Sequence, residues 1–515
     1  MQTIAERFRE TAAARPNHPL VVTAETSLSF SDIDGRSDAV AAWLAARGHT
    51  AGDRIGLYCI NCPEFVCAYL GIVKAGAVVV PVNVLLNAAE IAYVLSDAGA
   101  RTLIYHQALE QGVRALGGGL RDLQCLVRIG EGPGARDEVA FDELLGCADG
   151  PPALALRARE DLAVILYTSG TTGHPKGAML THANLVSNTS SVMEALRMDP
   201  GRDRLLVVLP MFHAFAATVG MLTPALHGLS LVPVPRFDPG LVSEAIDRTR
   251  ASVFLGVPSM YNLLLRQSDE KAALWAPVRF AVSGGAAMPV ELMRRFEARY
   301  GFPVLEGDGP TECSPVTCVN PRHGVRKPGS VGMAIPDVQI EIRDERGGPL
   351  PDGQIGEICV RGPNVMRGYW RQPQATAEAF FDDWLRTGDL GYRDGDGYIF
   401  IVDRRKDLII VNGMNVYPRV VEEVLHRDPR VAEAAVVGEP DDLHGEVVVA
   451  HVVPAEGERL GDADVKALCR AHLGRHEVPR RVIIRDALPK NATGKVLKRE
   501  LRMHGEIERG VDSRP

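Results

Sequence analysis

Positive charge, long apolar runs, aromatic rings and paired cysteines are all in short supply in this chain. Its 515 residues carry 57 Lys and Arg against 65 Asp and Glu, a net charge of −8. That balance argues against a nucleic-acid partner, since such binders are usually basic. No uninterrupted apolar stretch reaches the roughly 20 residues that a membrane span requires. The nearest imitation, Leu205 to Pro235, has no Asp, Glu, Lys or Arg, but Pro210, His213, Pro224, His227, Pro233 and Pro235 interrupt it. It reads as strand, loop, helix and strand, the helix buried beside an apolar ligand pocket. The opening residues, MQTIAERFRETAAARP, form a charged amphipathic helix pattern without an apolar core, so no signal peptide is expected. Nine cysteines do not suggest a disulfide framework. The lone Cys59-x-x-Cys62 lacks the second pair of a zinc site and reads as core thiols. The expected location is the cytoplasm. What remains is an ordinary globular composition, 46% hydrophobic and 24% charged, in a chain long enough for roughly three or four domain-sized units.

One stretch organises the rest. The apolar run Leu162-Ala163-Val164-Ile165-Leu166 has the length and branched content of a buried strand. Tyr167–Gly177, YTSGTTGHPKG, follows it. This loop packs Gly170, Gly173 and Gly177, the hydroxyls of Thr168, Ser169, Thr171 and Thr172, and the cation Lys176 close together. Glycines let backbone N–H groups approach a ligand, and hydroxyls add donors. A concavity of N–H groups with a lysine at its rim suits a polyphosphate anion. A flexible Ser/Gly linker seldom follows a buried strand or carries Pro-Lys-Gly. Nor is this a Walker loop, which has glycine before the lysine and Ser or Thr after it. Here Pro175 precedes Lys176 and Gly177 follows. The later Gly494-Lys495 pair has Pro489 at the first-glycine position and Val496 after the lysine.

Short apolar runs alternate with helical patterns on either side of that loop. Arg54–Ile60, Ala77–Val82 and Arg101–Tyr105 read as strands, Pro63–Ala75 and Ala88–Ala98 as helices. Leu205–Leu209, Ser252–Leu255, Val278–Val282 and Pro303–Leu305 continue the strands. The rhythm predicts an α/β fold, with a large N-terminal domain of helix-covered, mostly parallel sheets. Ligands of open α/β sheets sit beyond the carboxyl ends of the strands. The loops Pro210–His213, Gly256–Ser259, Ser283–Ala286 and Glu306–Glu312 should therefore converge. Beyond Asp403, helices over Arg419–His426 and Asp462–Leu473 and strands over Val431–Val437, Glu446–Val453 and Arg481–Ile484 suffice for a separate α+β domain of about 110 residues.

The YTSGTTGHPKG string resembles the phosphate-binding signature of adenylate-forming enzymes, the superfamily of acyl-CoA synthetases, luciferases and peptide-synthetase adenylation domains. The resemblance continues in order through the converging loops. It runs on through Arg386-Thr387-Gly388-Asp389, Val402–Asp407, Asn412-Gly413 and Pro489-Lys490-Asn491-Ala492-Thr493-Gly494-Lys495, and so covers essentially the whole chain to about Arg502. It implies an acid–thiol ligase that joins a carboxylate to ATP and passes the acyl group to a thiol, with ATP, Mg²⁺ and coenzyme A as cofactors. A carboxylate is a poor nucleophile and the α-phosphate is shielded by negative charge, so the protein must neutralise charge and align the reactants.

On this resemblance Thr168, Ser169, Gly170, Thr171, Thr172, Gly173 and Lys176 cradle the β- and γ-phosphates. Glu312, with Thr168, is the expected magnesium ligand, because magnesium favours oxygen donors shared with phosphate. Thr311 offers a hydroxyl to the α-phosphate. Gly284, Gly285 and Ala286 pass beside adenine, with Gly307, Asp308 and Gly309 bordering the same nucleotide. Asp389 accepts from the ribose hydroxyls, assisted by Arg404. His213 stands between the acyl pocket and the pantetheine tunnel. Lys495 bridges the substrate carboxylate and the α-phosphate, a task for a compact cation on a flexible stem. Asp308 departs from the pattern: many members have Tyr or Trp there, stacked on adenine, and aspartate cannot stack.

The resemblance also implies two domains, 1–405 for ATP and acid and a mobile lid over 406–515 that turns about Lys406. One orientation presents Lys495; the other brings the loop near Gly413 to the tunnel. A hinge must absorb a large φ/ψ change. The pocket stretches Phe212–Leu222, Val257–Met260, Gly284–Met288 and Leu305–Gly307 are mostly apolar and carry no Lys or Arg. Members that take malonate have an arginine where Gly307 stands, which argues against a dicarboxylic acid. The expected substrate is an aliphatic acid of medium or long chain, with an aryl acid as the alternative. The expected acceptor is CoA, with a carrier-protein pantetheine as the alternative. No carrier-protein domain follows the lid, which disfavours a peptide-synthetase module. No insertion of the kind that restrains the lid of fatty-acyl-AMP ligases is evident between Leu390 and Lys406. A non-catalytic nucleotide sensor would be expected to lack Lys495 or Glu312. The expected partners are the acid, ATP and CoA, with no nucleic acid, no membrane span, and a homodimer left open.

Overall fold

The computed structural model describes residues 2–117, 120, 122–131, 138–146, 157–168, 174–490 and 496–502. Two largely parallel sheets form the body. The larger has nine strands, ordered Met333–Ala334, Cys318–Val319, Val304–Asp308, Phe280–Ser283, Val253–Gly256, Arg204–Val207, Ser230–Pro233, Pro19–Val22 and Ser27–Ser29. The strands from Val304–Asp308 to Pro19–Val22 are mutually parallel. Val253–Gly256 and Phe280–Ser283 are buried at every position, which explains their unbroken small and apolar composition: with both faces covered there is no solvent side to alternate with. The second sheet orders Glu138–Ala140, Cys125–Ile129, Ala100–His106, Arg54–Tyr58, Val78–Pro81, Leu162–Thr168 and Lys176–Thr181. Its strands are parallel except the last pair. One apolar core runs from Ile4 and Phe8 on the first helix, Ile4–Ala14, through both sheets to Ile399.

The anticipated strands are present with displaced ends: Arg54–Ile60 stops at Tyr58 and Leu205–Leu209 at Val207, while others are lengthened by pairing. The expected Pro303–Leu305 runs as Val304–Asp308 because Gly307 and Asp308 pair antiparallel with Val319 and Cys318. The stretch without charge is a strand, Arg204–Val207, a loop, a π-helical segment, Ala216–Leu222, running into the helix Thr223–His227, and a strand, Ser230–Pro233. Every residue of Ala216–Leu222 is buried. Among the described residues no helix is long and apolar enough to cross a membrane. Cys59 and Cys62 are free thiols with their sulfurs 3.5 Å apart.

A third sheet was not anticipated. Gln339–Arg343, Gly356–Arg361, Trp384–Arg393, Phe380–Phe381 and Ile399–Arg404 form an antiparallel layer, so the body is less uniformly parallel than its βαβ rhythm suggested. The signal was the alternation Gln339-Ile340-Glu341-Ile342-Arg343, in which the two isoleucines are buried.

After Arg404 a single turn, Arg405–Asp407, leads to a smaller α+β unit with its own apolar core. Its sheet orders Met414–Val416, Ile409–Val411, Gly445–Pro454 and Val431–Asp441, with Arg481–Ile484 parallel to Gly445–Pro454. The helices Pro418–Leu425 and Asp462–His472 contribute Val421, Leu425, Val465 and Cys469 to that core. Asp403 fixes the junction: one carboxylate oxygen accepts from Arg404 N at 2.7 Å and the other from Arg419 N at 2.8 Å. The small unit also touches the body directly, through Asn262 Nδ2 donating to Ala432 O at 3.1 Å.

Candidate active site

Three of the four loops expected to converge at the carboxyl ends of the strands do so; Gly256–Ser259, and with it the expected pocket stretch Val257–Met260, stays behind the lining, its Val257 packed beside Gly285. His213, Gly284, Gly285, Gly307, Asp308, Gly309 and Thr311 line one cavity, whose remaining wall includes Val192, Leu196, Phe215, Val219, Val316 and Val319. Glycine is required at 309, where a Cβ would stand 1.7 Å from Pro315 O. At 284 the missing side chain admits the Phe215 ring, whose nearest carbon would lie 3.3 Å from a Cβ. Ala286 follows this glycine pair without itself lining the cavity. Apart from the His213 imidazole, Phe215 is the one aromatic ring of that lining among the described residues. The position where a stacking ring was expected is held by the Asp308 carboxylate.

Beside the cavity a cation, a hydroxyl and a carboxylate are linked in series. Thr168 and Lys176 oppose each other on the antiparallel pair, and Thr168 Oγ1 donates to Lys176 O at 3.4 Å. Lys176 Nζ lies 5.1 Å from the centroid of the Tyr369 ring, and the Tyr369 hydroxyl donates to Glu312 Oε1 at 2.8 Å. Burial and the adjacent carboxylate push the Tyr369 pKa up, so the hydroxyl remains a donor at neutral pH. The backbone of Glu312 is fixed as well, its carbonyl accepting from Met366 N at 2.7 Å. Sequence reasoning missed Tyr369. Nothing in Gly368-Tyr369-Trp370 alone distinguishes it from a packed loop aromatic.

The antiparallel sheet adds a third element. Asp389 and Arg404 face each other in register, with Arg404 Nε 2.8 Å from Asp389 Oδ1. Asp389 holds the guanidinium charged and raises its pKa, with smaller contributions from Asp308 and Glu312. One guanidinium therefore feels Asp389, Asp308 and Glu312, as well as Asp407 of the turn that follows it, which joins the cavity, the Lys176–Tyr369–Glu312 series and the sheet pair into a single site. Hydroxyls, N–H groups and cations here suit a polyanion. Among the described residues no group of three His, Cys, Asp or Glu could hold a metal alone. The donor set offers Glu312, whose second oxygen is not engaged by Tyr369, and the Thr168 hydroxyl. A hard divalent cation would complete its shell with phosphate oxygens, which fits magnesium.

Ser169, Gly170, Thr171, Thr172, Gly173 and Lys495 lie outside the described residues. Lys406 occupies the Arg405–Asp407 turn. Gly413 is at the tip of the hairpin joining Ile409–Val411 to Met414–Val416, with φ of 51° at Asn412 and 77° at Gly413, as a tight two-residue hairpin turn requires. The space a Gly413 side chain would enter is open, and neither residue lines the cavity.

Glu306, directly before Gly307, is 1% exposed. Its Oε1 accepts from Met288 N at 2.9 Å and stands 3.8 Å from Arg419 Nη2 of the small unit. Burial outweighs Arg419 and pushes the carboxyl from 4.5 up to about 7. Between those values the folded chain keeps a proton that the unfolded chain has lost, so stability falls as pH rises through that window, by about 3 kcal/mol in all. Glu306→Gln keeps the acceptor for Met288 and has nothing to ionise. The decline in Tm from pH 5 to pH 8 should shrink in this variant; an unchanged decline would refute the assignment.

A family model described as AMP-binding enzyme matches residues 8–370, and one described as AMP-binding enzyme C-terminal domain matches residues 420–495. Feruloyl-CoA synthase from an Amycolatopsis species is 38% identical over 493 residues, covering 95% of this chain and 96% of the relative. Long-chain-fatty-acid–CoA ligase of Bacillus subtilis (strain 168) is 33% identical over 526 residues, covering 97% and 94%. The crystal structure of ATP-bound MatB from Rhodopseudomonas palustris is similar with a TM-score of 0.89 at 34% identity, covering 98% of this chain and 99% of that one.

Proposed function

The chain belongs to the AMP-binding enzyme family, and on that premise we propose that this acyl-CoA ligase activates an aliphatic acid of medium or long chain and transfers it to CoA. The substrate carboxylate displaces pyrophosphate from the α-phosphorus of ATP, giving an acyl adenylate. The CoA thiol sulfur then displaces AMP from the acyl carbon, giving the thioester. The observation that carries the choice of acid is the cavity wall: Val192, Leu196, Val219, Val316 and Val319 present hydrocarbon next to a polar mouth at Thr311, Asp308 and Gly284-Gly285. Each methylene buried against such a wall contributes about 0.8 kcal/mol. A distal carboxylate would be stranded there without a partner, at a cost of several kcal/mol. An aryl acid is the second reading. It draws on the Phe215 ring in the cavity wall beside Gly284, against which an aryl group could stack, and on the similarity to feruloyl-CoA synthase.

In this reading Lys176 and the backbone of Tyr167–Gly177 grip the outer phosphates, Thr311 addresses the α-phosphate, and Asp389 with Arg404 holds the ribose. Glu312 and Thr168 would hold Mg²⁺, which when bound neutralises charge on the departing pyrophosphate. Tyr369 occupies one oxygen of Glu312 and so fixes which oxygen faces the phosphates. Adenine rests against Gly284–Ala286. His213 borders the cavity where acid and thiol must meet, and Lys495 bridges carboxylate and α-phosphate in the first step. For the acceptor, the lid carries a groove lined by Arg470, Arg475, Arg480, His444 and His476 beside Asn412. Three guanidiniums suit the phosphate-rich end of CoA better than the single phosphodiester of a carrier-protein arm.

The test is a series of straight-chain, aryl and dicarboxylic acids with ATP and Mg²⁺, reading pyrophosphate with and without CoA. Catalytic efficiency is expected to rise about fourfold per added methylene until the cavity is filled. Preference for aryl acids would install the second reading. Absence of any acid-dependent cleavage of ATP to AMP would remove both.

A further inference from the structure

Asn61 lies between the strand Arg54–Tyr58 of the seven-stranded sheet and the helix Pro63–Lys74, and its side chain reaches into the other sheet. It is 4% exposed. Nδ2 donates to Val207 O at 3.0 Å, Leu209 O at 2.9 Å and Val234 O at 3.1 Å, while Oδ1 accepts from Met211 N at 2.8 Å. An amide has two N–H bonds and two acceptor lone pairs, so one proton is shared between carbonyls and the group is engaged on both its faces. Val207 ends the strand Arg204–Val207, and Val234 follows the parallel neighbour Ser230–Pro233. Both leave the sheet here; Val207 O also accepts from Val234 N at 2.9 Å, whereas the donor to Val234 O and Leu209 O is Asn61, and a buried carbonyl without a donor is costly.

What these bonds hold is the start of the acid-binding wall. Met211 is two residues before His213. His213 N donates to Pro210 O at 2.9 Å, and His213 O accepts from Ala217 N at 2.9 Å. The backbone from Leu209 to Ala217 is thus a continuous hydrogen-bonded path that begins at Asn61 and delivers His213, Phe215 and Val219 to the cavity. The segment has no charged side chain with which to anchor itself. Its π-helical continuation, Ala216–Leu222, is a geometry found mostly as isolated turns at functional sites, so its register must be set from outside.

We propose that Asn61 is a positioning residue for the acid pocket: by clamping Leu209 O and Met211 N from the opposite sheet, it sets where His213, Phe215 and Val219 stand and hence which acids fit. The inference rests on the reading of that cavity as the acid site. Asn61 does not line the cavity. It acts through one loop, and the nucleotide groups Asp389, Arg404, Lys176 and Glu312 hang from other elements.

The test compares Asn61→Ala and Asn61→Asp with the unaltered protein across the acid series used above. In Asn61→Ala the KM for the preferred acid should rise about tenfold, the equivalent of one to two lost hydrogen bonds, and the ranking of acids by chain length should flatten, while the KM for ATP stays within about twofold. Asn61→Asp keeps the acceptor for Met211 N but sets a carboxylate against three carbonyl oxygens. Its chain-length ranking should be flattened at pH 8 and return toward that of the unaltered protein at pH 6, as the carboxyl takes up a proton and regains a donor. Glu306 ionises in the same interval, so the unaltered protein supplies the baseline, and the change in ranking between pH 6 and pH 8 should be clearly larger in Asn61→Asp than in that baseline. If both variants keep the original ranking at both pH values, or if ATP and acid KM rise together, Asn61 is only a structural crosslink and the proposal is wrong. If Asn61→Ala fails to fold, the pH-dependent ranking of Asn61→Asp decides alone. Failure of the unaltered protein to activate any acid would instead overturn the reading of the cavity.

Discussion

Replacing Lys495 with alanine is expected to lower acid-dependent pyrophosphate release by about a hundredfold to a thousandfold, the usual loss when one preorganised charge partner leaves a transition state. Formation of thioester from supplied acyl adenylate should be nearly unaffected. The two half-reactions need different things. The first brings a carboxylate anion against a phosphate anion, and a bridging ammonium lowers exactly that repulsion. The second starts from a mixed anhydride with no such repulsion to relieve. Lys495 is itself outside the described residues, but its neighbours bear on the alternative that this segment is merely a solvated basic face. Lys490 pairs with Glu433 at 2.7 Å, Lys498 with Glu422 at 2.8 Å and Arg502 with Asp407 at 3.1 Å. These cations are committed to carboxylates of the lid and hinge rather than scattered over a wet surface. Measuring pyrophosphate release and thioester formation separately checks the expectation. Equal loss in both would contradict the role given to Lys495.

The second large effect is expected at the hinge. Lys406 sits in a single turn, Arg405–Asp407, between Ile399–Arg404 of the body and Ile409–Val411 of the lid. Proline there would fix φ at about −65° and push Arg405 out of the helical region. A pivot must absorb large dihedral changes at a few residues, so Lys406→Pro should impair thioester formation by roughly an order of magnitude more than adenylation. In the present orientation the Gly413 hairpin tip is open to solvent and does not line the cavity. The lid is held to the body through Asp403, Arg419 and Asn262. An unchanged ratio of the two half-reaction rates would remove the hinge assignment.

The parallel strands and their terminal loops were legible because fully buried strands leave unbroken apolar runs, and those runs place the loops at one sheet edge. That is why Gly284, Gly285, Gly307, Asp308, Gly309, Thr311 and His213 could be grouped from sequence, and they do line one cavity. The antiparallel layer was not legible from that rhythm, since strands such as Gln339–Arg343 and Trp384–Arg393 are only partly buried and mix polar with apolar residues. Tyr369 and Asn61 escaped for a different reason. Each acts through partners far along the chain, Glu312 at 57 residues and Met211 at 150, and local pattern carries no record of such pairing. Asp308 shows the converse: its departure from the expected aromatic was visible in the sequence, while its closeness to Arg404 needed the fold.

Arg404 precedes Lys406 by two residues and is paired across the sheet with Asp389, so on the proposed roles the handhold for the sugar and the axle of the lid share one piece of backbone. Occupancy and posture then cannot be tuned independently. Any ligand that tightens or loosens the Asp389–Arg404 contact also biases the angle of the lid, and by reciprocity each angle of the lid has its own affinity for the nucleotide. Departure of AMP should therefore reset the lid as well as empty the site, which ties the pace of successive turnovers to how firmly one carboxylate holds a spent sugar.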